Sequence, residues 1–199
     1  MKTTIYIEGG GDTKQLHGAL RQGFKSLFES AGFGGKLPKV VASGSRNEAF
    51  ADFKIAFNKK KTDEVILLLV DSEDVVETSL KWTHLKNRDG WEKPQASTED
   101  NVFLMVVCME SWFLADKAGL KTFFGSKFGT TKLPKNSDLE IINKTELYDG
   151  LKKATEITTK GKYGKGQHSF KILTCLNGNK VANHGKYSKE FFEYLESVL

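Results

Sequence analysis

Four runs of apolar residues, each bounded by glycine, charge or a polar cluster, set the framework of the chain. Thr4-Ile5-Tyr6-Ile7 opens it, Lys39-Val40-Val41-Ala42 follows, residues 64–70 are almost wholly aliphatic, and residues 102–109 form the fourth. These lengths suit strands, and the unbroken third run predicts a central parallel strand covered on both faces. Between the first two runs, Leu16, Leu20, Phe24, Leu27, Phe28 and Ala31 recur at helical spacing behind a Gly9-Gly10-Gly11 turn and a capping Asp12. Gly32-Phe33-Gly34-Gly35 stops that helix. A second helix is expected with Asn47 as its cap, Phe50, Phe53 and Phe57 on one face, and lysines 59–61 at its end. Strand and helix in alternation predict an α/β fold built on an open, mainly parallel sheet flanked by helices.

Residues 75–100 lose this regularity and read as a loop-rich insertion with at most a short helix, placed to cover the strand ends. After the fourth run, Glu110, Trp112, Phe113, Leu114 and Asp116 suggest a strand passing into a helix. Beyond residue 116 the chain is rich in lysine, with helices expected over residues 144–154 and 189–199. The expected division is a core at 1–116 and a basic, partly helical C-terminal subdomain at 117–199 packed on it.

With 199 residues, 39% of them apolar and 14 of them Phe, the chain has the material for one domain with a sizeable core. No apolar run approaches the roughly 20 residues of a membrane span. Met1-Lys2-Thr3-Thr4 leads straight into the first strand without a secretory signal, so a cytoplasmic location is expected. Cys108 and Cys175 lie in apolar stretches with no CxxC pair, the pattern of reduced core residues. The net charge of +5 is unevenly placed: residues 117–199 hold 15 lysines against 8 acids, a surplus of 7, and the rest of the chain carries −2. An acidic centre beside a basic surface suits a metal-dependent enzyme acting on a phosphate polyanion. Solubility alone would produce the same asymmetry.

The acids sit at the strand ends. Glu8 and Asp12 follow the first run, four residues apart across flexible glycines, and Asp71, Glu73 and Asp74 follow the third. Parallel strands deliver their C-terminal ends to one edge, where ligands bind, so the two groups can converge. In extended chain Asp71 and Glu73 face the same side, with Asp74 a competitor for the second position. Like charges so close repel unless a cation or basic group neutralises them, and an all-oxygen shell suits Mg2+ or Mn2+. Helix capping and a solvated turn would explain any one of these acids, but explain both groups together less well. Glu110 offers a further ligand; alternatively, it and Asp116 are ordinary helix-start and helix-surface acids. The glycine triplet has neither the dinucleotide spacing nor the P-loop ending. Lys160, Lys162, Lys165 and His168 lie in a glycine-punctuated stretch with no acid from residue 157 to 183, a loop suited to gripping phosphates or simply to solvation, with Lys165 best placed for transition-state charge. Arg46, after the second run, stands to meet a phosphate or to begin a helix. His17, His84 and His184 lack metal-ligand spacing.

The order of strand, Glu-bearing loop, helix, strand, helix, strand and acidic cluster resembles the Toprim fold of topoisomerases, primases and the overcoming-lysogenization-defect nucleases. Glu8 corresponds to its first-motif glutamate, Asp71 with Glu73 to its DxD with glutamate as the second acid, and Glu8 with Asp12 to an ExxxD pair. More closely, the whole chain resembles the bacterial domain-of-unknown-function family 4276. The likeness is carried by Ile7-Glu8-Gly9-Gly10-Gly11-Asp12, Leu68-Leu69-Val70-Asp71-Ser72-Glu73-Asp74, Met109-Glu110-Ser111-Trp112-Phe113-Leu114-Ala115-Asp116 and Lys162-Tyr163-Gly164-Lys165-Gly166-Gln167-His168. The Toprim resemblance implies metal-dependent phosphodiester hydrolysis. Glu8 would be an acid, base or ligand, Asp12, Asp71 and Glu73 would hold one or two ions, Glu110 would complete a second site, and Lys165 would meet the developing charge. It further implies nucleic acid as partner, DNA in preference to RNA, and a role in phage defence alongside a separate ABC-type ATPase. A catalytically silent Toprim-like interaction module is the alternative. A phosphohydrolase of small phosphates is disfavoured by the basic last third.

Overall fold

The computed structural model describes residues 2–11 and 13–199. Four parallel strands, β1 (Lys2–Ile7), β2 (Lys39–Ala42), β3 (Glu64–Asp71) and β4 (Val102–Met105), form one open sheet in the order β2-β1-β3-β4. Ile5 pairs with Val40 on one side and Leu67 on the other, and Leu69 pairs with Phe103. From Ile66 onward every residue of β3 is buried, as its aliphatic run requires. This is the expected open α/β arrangement, consistent with a Toprim-like sheet. The fourth strand is shorter than its apolar run: past Met105 the chain turns, and residues 106–110 instead pass beneath the end of β3, where Ser72 and Glu73 donate backbone hydrogen bonds to Met105 and Val107.

The β1-α1-β2 and β2-α2-β3 crossovers run in opposite directions along the sheet, which under the right-handed rule sets α1 (Lys14–Phe28) and α2 (Arg46–Lys59) on opposite faces. Each face is sealed by aromatics. Phe50 and Phe53 of α2 meet Trp82 of α3 (Lys81–Asp89), and Phe50 stacks on Trp91 at 4.3 Å. On the other face Phe24 and Phe28 of α1 meet Trp112 of α4 (Ser111–Ala115) and Phe191 and Phe192 of α9 (Lys186–Val198). The caps differ from expectation. Ser45, not Asn47, caps α2 in a reciprocal box with Glu48, while Asn47 accepts from the Trp91 indole at 3.2 Å. Thr13 caps α1, and the expected cap Asp12 lies outside the described residues.

The last third is more helical than its pattern suggests. It comprises α5 (Lys117–Phe124), α6 (Lys144–Thr155), α7 (Lys165–Leu173), α8 (Gly178–Ala182) and α9. The loop expected around Lys165 is instead the start of α7, which turns His168, Ser169, Ile172 and Leu173 inward. Phe123, Phe124, Phe128, Tyr148 and Tyr163 gather around His168 and one another in a third aromatic group. Asp116 is a buried clamp rather than a surface acid: it accepts from Lys180 at 2.8 Å and from the Asn177 amide at 2.9 Å. Both cysteines are free; Cys108 is in the core and Cys175 is only partly covered. Among the described residues no helix is long and apolar enough to cross a membrane.

Helices α1 and α7 pack closely at Gly23, where an added Cβ would lie 2.6 Å from the Phe170 carbonyl oxygen. Gly23→Ala is therefore expected to lower stability by roughly 1–3 kcal/mol, measured by urea denaturation; an unchanged midpoint would show that the two helices can part without cost.

Candidate metal centre

The C-terminal edge of the sheet gathers the acids. Glu8 leaves β1, its amide still bonded to the Leu69 carbonyl, and its Oε2 accepts from the Asp71 amide at 3.3 Å. Asp71 ends β3 with its side chain buried, and its Oδ1 accepts from the Met109 amide at 2.8 Å. Glu73 follows in a left-handed conformation (φ 72°), not in extended chain. Its carboxylate nevertheless turns back to the same point: Glu8, Asp71 and Glu73 each offer an oxygen within 4.8 Å of the others. Asp74 does not compete. Its side chain is 80% exposed and points towards Arg88. Three carboxylates from two strand ends form an all-oxygen donor set that could hold a hard divalent cation. Asp12, the fourth acid expected here, lies outside the described residues.

Basic groups ring the trio. Lys144, from the start of α6, contacts Glu73 and lies 4.0 Å from Asp71 Oδ2, and Arg88 of α3 is 3.3 Å from Glu73. Lys165, the first residue of α7, stands 3.8 Å from Asp71 Oδ2 and 4.0 Å from Glu110 Oε2. Burial works against the charge on Glu73, but Lys144 and then Arg88 and Arg46 outweigh it and hold its pKa below the ordinary glutamate value. Asp71 goes the other way. Burial foremost, then the charge on Glu8, pushes it up to about 8, with Glu110 adding to the effect and Lys165 and Lys144 opposing it. A cavity of about 100 Å3 opens between Glu8, Arg46, Asp71, Met109, Lys165 and Phe170. A larger one, about 610 Å3, lies at the other edge, beside Phe33 and Phe192, away from the trio.

Arg46 is not free for a phosphate. Its Nε and Nη2 bind both oxygens of Asp89 at 2.9 and 2.7 Å, its Nη1 donates to Glu8 at 3.0 Å and to the Asp71 carbonyl, and Trp91 lies against its guanidinium. It orients Glu8 and ties α3 to the sheet edge. His168 is also internal: Nε2–H donates to the Lys160 carbonyl at 3.2 Å and Nδ1 accepts from the Gly164 amide at 3.0 Å, so it shapes the turn into α7 and does not face a ligand. Lys160 and Lys162 are exposed on that turn, with the Lys160 ammonium over the Phe123 ring. Glu110 is fully buried and stands outside the trio, although it faces Lys165. The other histidines are engaged locally: His84 with the Ser72 carbonyl, His17 with the Gly11 carbonyl, and His184 with the Val181 carbonyl.

The model of one protein family, described as a domain of unknown function (DUF4276), matches residues 7–196. The chain belongs to that family. The match runs from the residue before Glu8 almost to the end of α9, so all three acids and the whole basic ring fall within the DUF4276 domain. No curated protein and no solved structure compared with the chain matches it.

The raised Asp71 pKa gives the metal-free protein a defined pH dependence. Between about pH 4, where an aspartate titrates in the unfolded chain, and pH 8, where Asp71 titrates in the fold, the folded state binds the extra proton. The contribution of Asp71 to stability therefore falls as pH rises through that window. Asp71→Asn keeps the acceptor for Met109 and removes the charge. It is expected to flatten the slope and to stabilise the metal-free protein at pH 8 by on the order of 1–3 kcal/mol, read from urea midpoints in EDTA at pH 5 and 8. Destabilisation at both pH values would instead make the carboxylate a structural requirement.

Proposed function

We propose that this DUF4276 domain is a Toprim-type nuclease that hydrolyses phosphodiester bonds of nucleic acid, DNA in preference to RNA, with Mg2+ or Mn2+. The observation that carries this reading is the convergence of Glu8, Asp71 and Glu73 beside an open cavity with lysine at its mouth. Those three carboxylates would hold the cation. Bound there, a divalent ion supplies Lewis-acid polarisation of a phosphoryl oxygen and lowers the pKa of bound water.

The chain's own groups divide the remaining work. Arg46 fixes Glu8 through Oε2, so that this carboxylate presents one orientation to the cavity. Lys144 and Arg88 keep Glu73 ionised at neutral pH, ready to act as a ligand. A proton held on Asp71 would leave when a cation arrives, which makes metal affinity rise with pH. Lys165 stands where the charge of a scissile phosphate would develop, and the exposed Lys160 and Lys162 extend the positive surface along the strand being bound. Phage defence together with a separate ABC-type ATPase completes the proposal, by resemblance to the overcoming-lysogenization-defect nucleases.

A second reading has one observation in its favour. Glu8 and Glu73 already have cationic partners in Arg46 and Lys144, so a catalytically silent interaction module could keep these acids without an ion. Incubation with plasmid DNA and structured RNA at low salt, in Mg2+, Mn2+ or EDTA, separates the two. Metal-dependent cleavage that Glu8→Ala reduces at least about 100-fold is the expected result; undiminished cleavage in Glu8→Ala would mark a contaminant, and absence of cleavage in every metal would favour the silent module. Lys165→Ala is expected to weaken nucleic-acid binding and to lessen its salt dependence by about one phosphate contact, measured by fluorescence anisotropy across a salt series.

A further inference from the structure

Glu110 is fully buried where the chain passes from β4 to α4. Its Oε1 accepts from Tyr163 Oη at 2.9 Å and lies 3.1 Å from Ser169 Oγ, and these two hydroxyls are 2.7 Å from each other. Its Oε2 is buried with no hydrogen-bond partner among the described residues, since the Tyr148 phenol, which also faces Glu110, does not meet hydrogen-bond geometry there. A half-satisfied buried carboxylate is costly and calls for a reason. Crowding both hydroxyls on one oxygen fixes the carboxylate's rotation and aims the other oxygen in a single direction, where the Lys165 ammonium stands 4.0 Å away. The anchoring is local and rigid: Tyr163 lies just before the Gly164 cap of α7, Ser169 lies on that helix, and the Tyr163 ring is held by Phe113 and Tyr148.

Lys165 needs such an anchor. Its side chain is 57% exposed, its four-carbon stem is flexible, and Asp71, the other carboxyl beside it, holds its proton to about pH 8 and is shared with Lys144. We propose that Glu110 is the positioning residue of Lys165: Oε2 stations the ammonium at the mouth of the carboxylate cavity to meet an anionic phosphate, and Glu110 does not ligate the cation. The use of Lys165 on a phosphate rests on the nuclease reading, whereas the anchoring of Lys165 by Glu110 does not.

The test therefore has an arm without catalysis. In metal-free protein labelled with 15N, the Lys165 Nζ cross-peak is assigned by its loss in Lys165→Met. It is expected to stand apart from the exposed lysines, to move into their position or exchange away in Glu110→Gln, and to move part of the way in Tyr163→Phe, which stands in if Glu110→Gln fails to fold. A Lys165 signal unmoved in both variants would overturn the anchoring. In the kinetic arm, Glu110→Gln and Lys165→Met should each lower kcat by about tenfold or more, and the double variant should be no slower than the worse single one. Multiplied losses would mean that Glu110 acts independently of Lys165. Calorimetric titration with Mn2+ should give Glu110→Gln an affinity within about twofold of the unaltered protein, and a loss of about tenfold or more would place Glu110 among the metal ligands. If the unaltered protein cleaves nothing while the cross-peak moves as expected, the nuclease reading has failed and the anchoring has not.

Discussion

A carboxylate carried into the interior on an aliphatic strand must be neutralised there, because an ion stripped of water loses far more than a single distant countercharge returns. Asp71 is in that position, and much of the surrounding architecture answers it. The Met109 amide holds one oxygen while two lysines approach the other, one from α6 and one from α7. These lysines come from parts of the chain with no sheet of their own. The C-terminal helices are therefore more than a cover: without their lysines the end of β3 would hold its proton to still higher pH.

The same demand links the insertion to the sheet. Arg46 sits at the first turn of α2 and reaches three places at once: Glu8, the Asp71 carbonyl and both oxygens of Asp89. A guanidinium can do this because its donors form a rigid fork, which a lysine could not imitate. The two stretches that flank the acids, the end of β1 and the tail of α3, are thereby held in one network, with Trp91 packed against the guanidinium.

Much of the sheet was legible because its determinants are local. Apolar runs of strand length mark β1, β2 and β3, and the rule that parallel strands end at one edge brings Glu8 and Asp71 together from spacing alone. Glu73 reaches the same point by a left-handed turn, which no alternation rule contains. Helix α7 was hidden by Gly164 and Gly166, although His168, Ser169, Ile172 and Leu173 repeat at helical spacing behind them. The partners of the acids were the hard part. Lys144, Arg88, Tyr163 and Ser169 come from elements distant in sequence and are placed by packing, so nothing near them along the chain announces the role. Arg46 looked available for a phosphate only because Asp89, 43 residues further on, cannot be paired with it by pattern.

Phe24, Phe28, Phe103 and Trp112 cover one face of the sheet, yet what closes over them is Phe191 and Phe192 of the final helix, and the Thr3 hydroxyl is bonded to the Val198 carbonyl. The first strand and the last helix are thus joined across 195 positions. Such contacts are slow to form, since the loop entropy is lost before the reward arrives. Without α9 docked, Phe24, Phe28, Phe103 and Trp112 would form a broad aromatic surface on that side of the sheet. Exposed apolar surface of that size is prone to misassembly, so the seal that α9 supplies protects the fold as well as stabilising it.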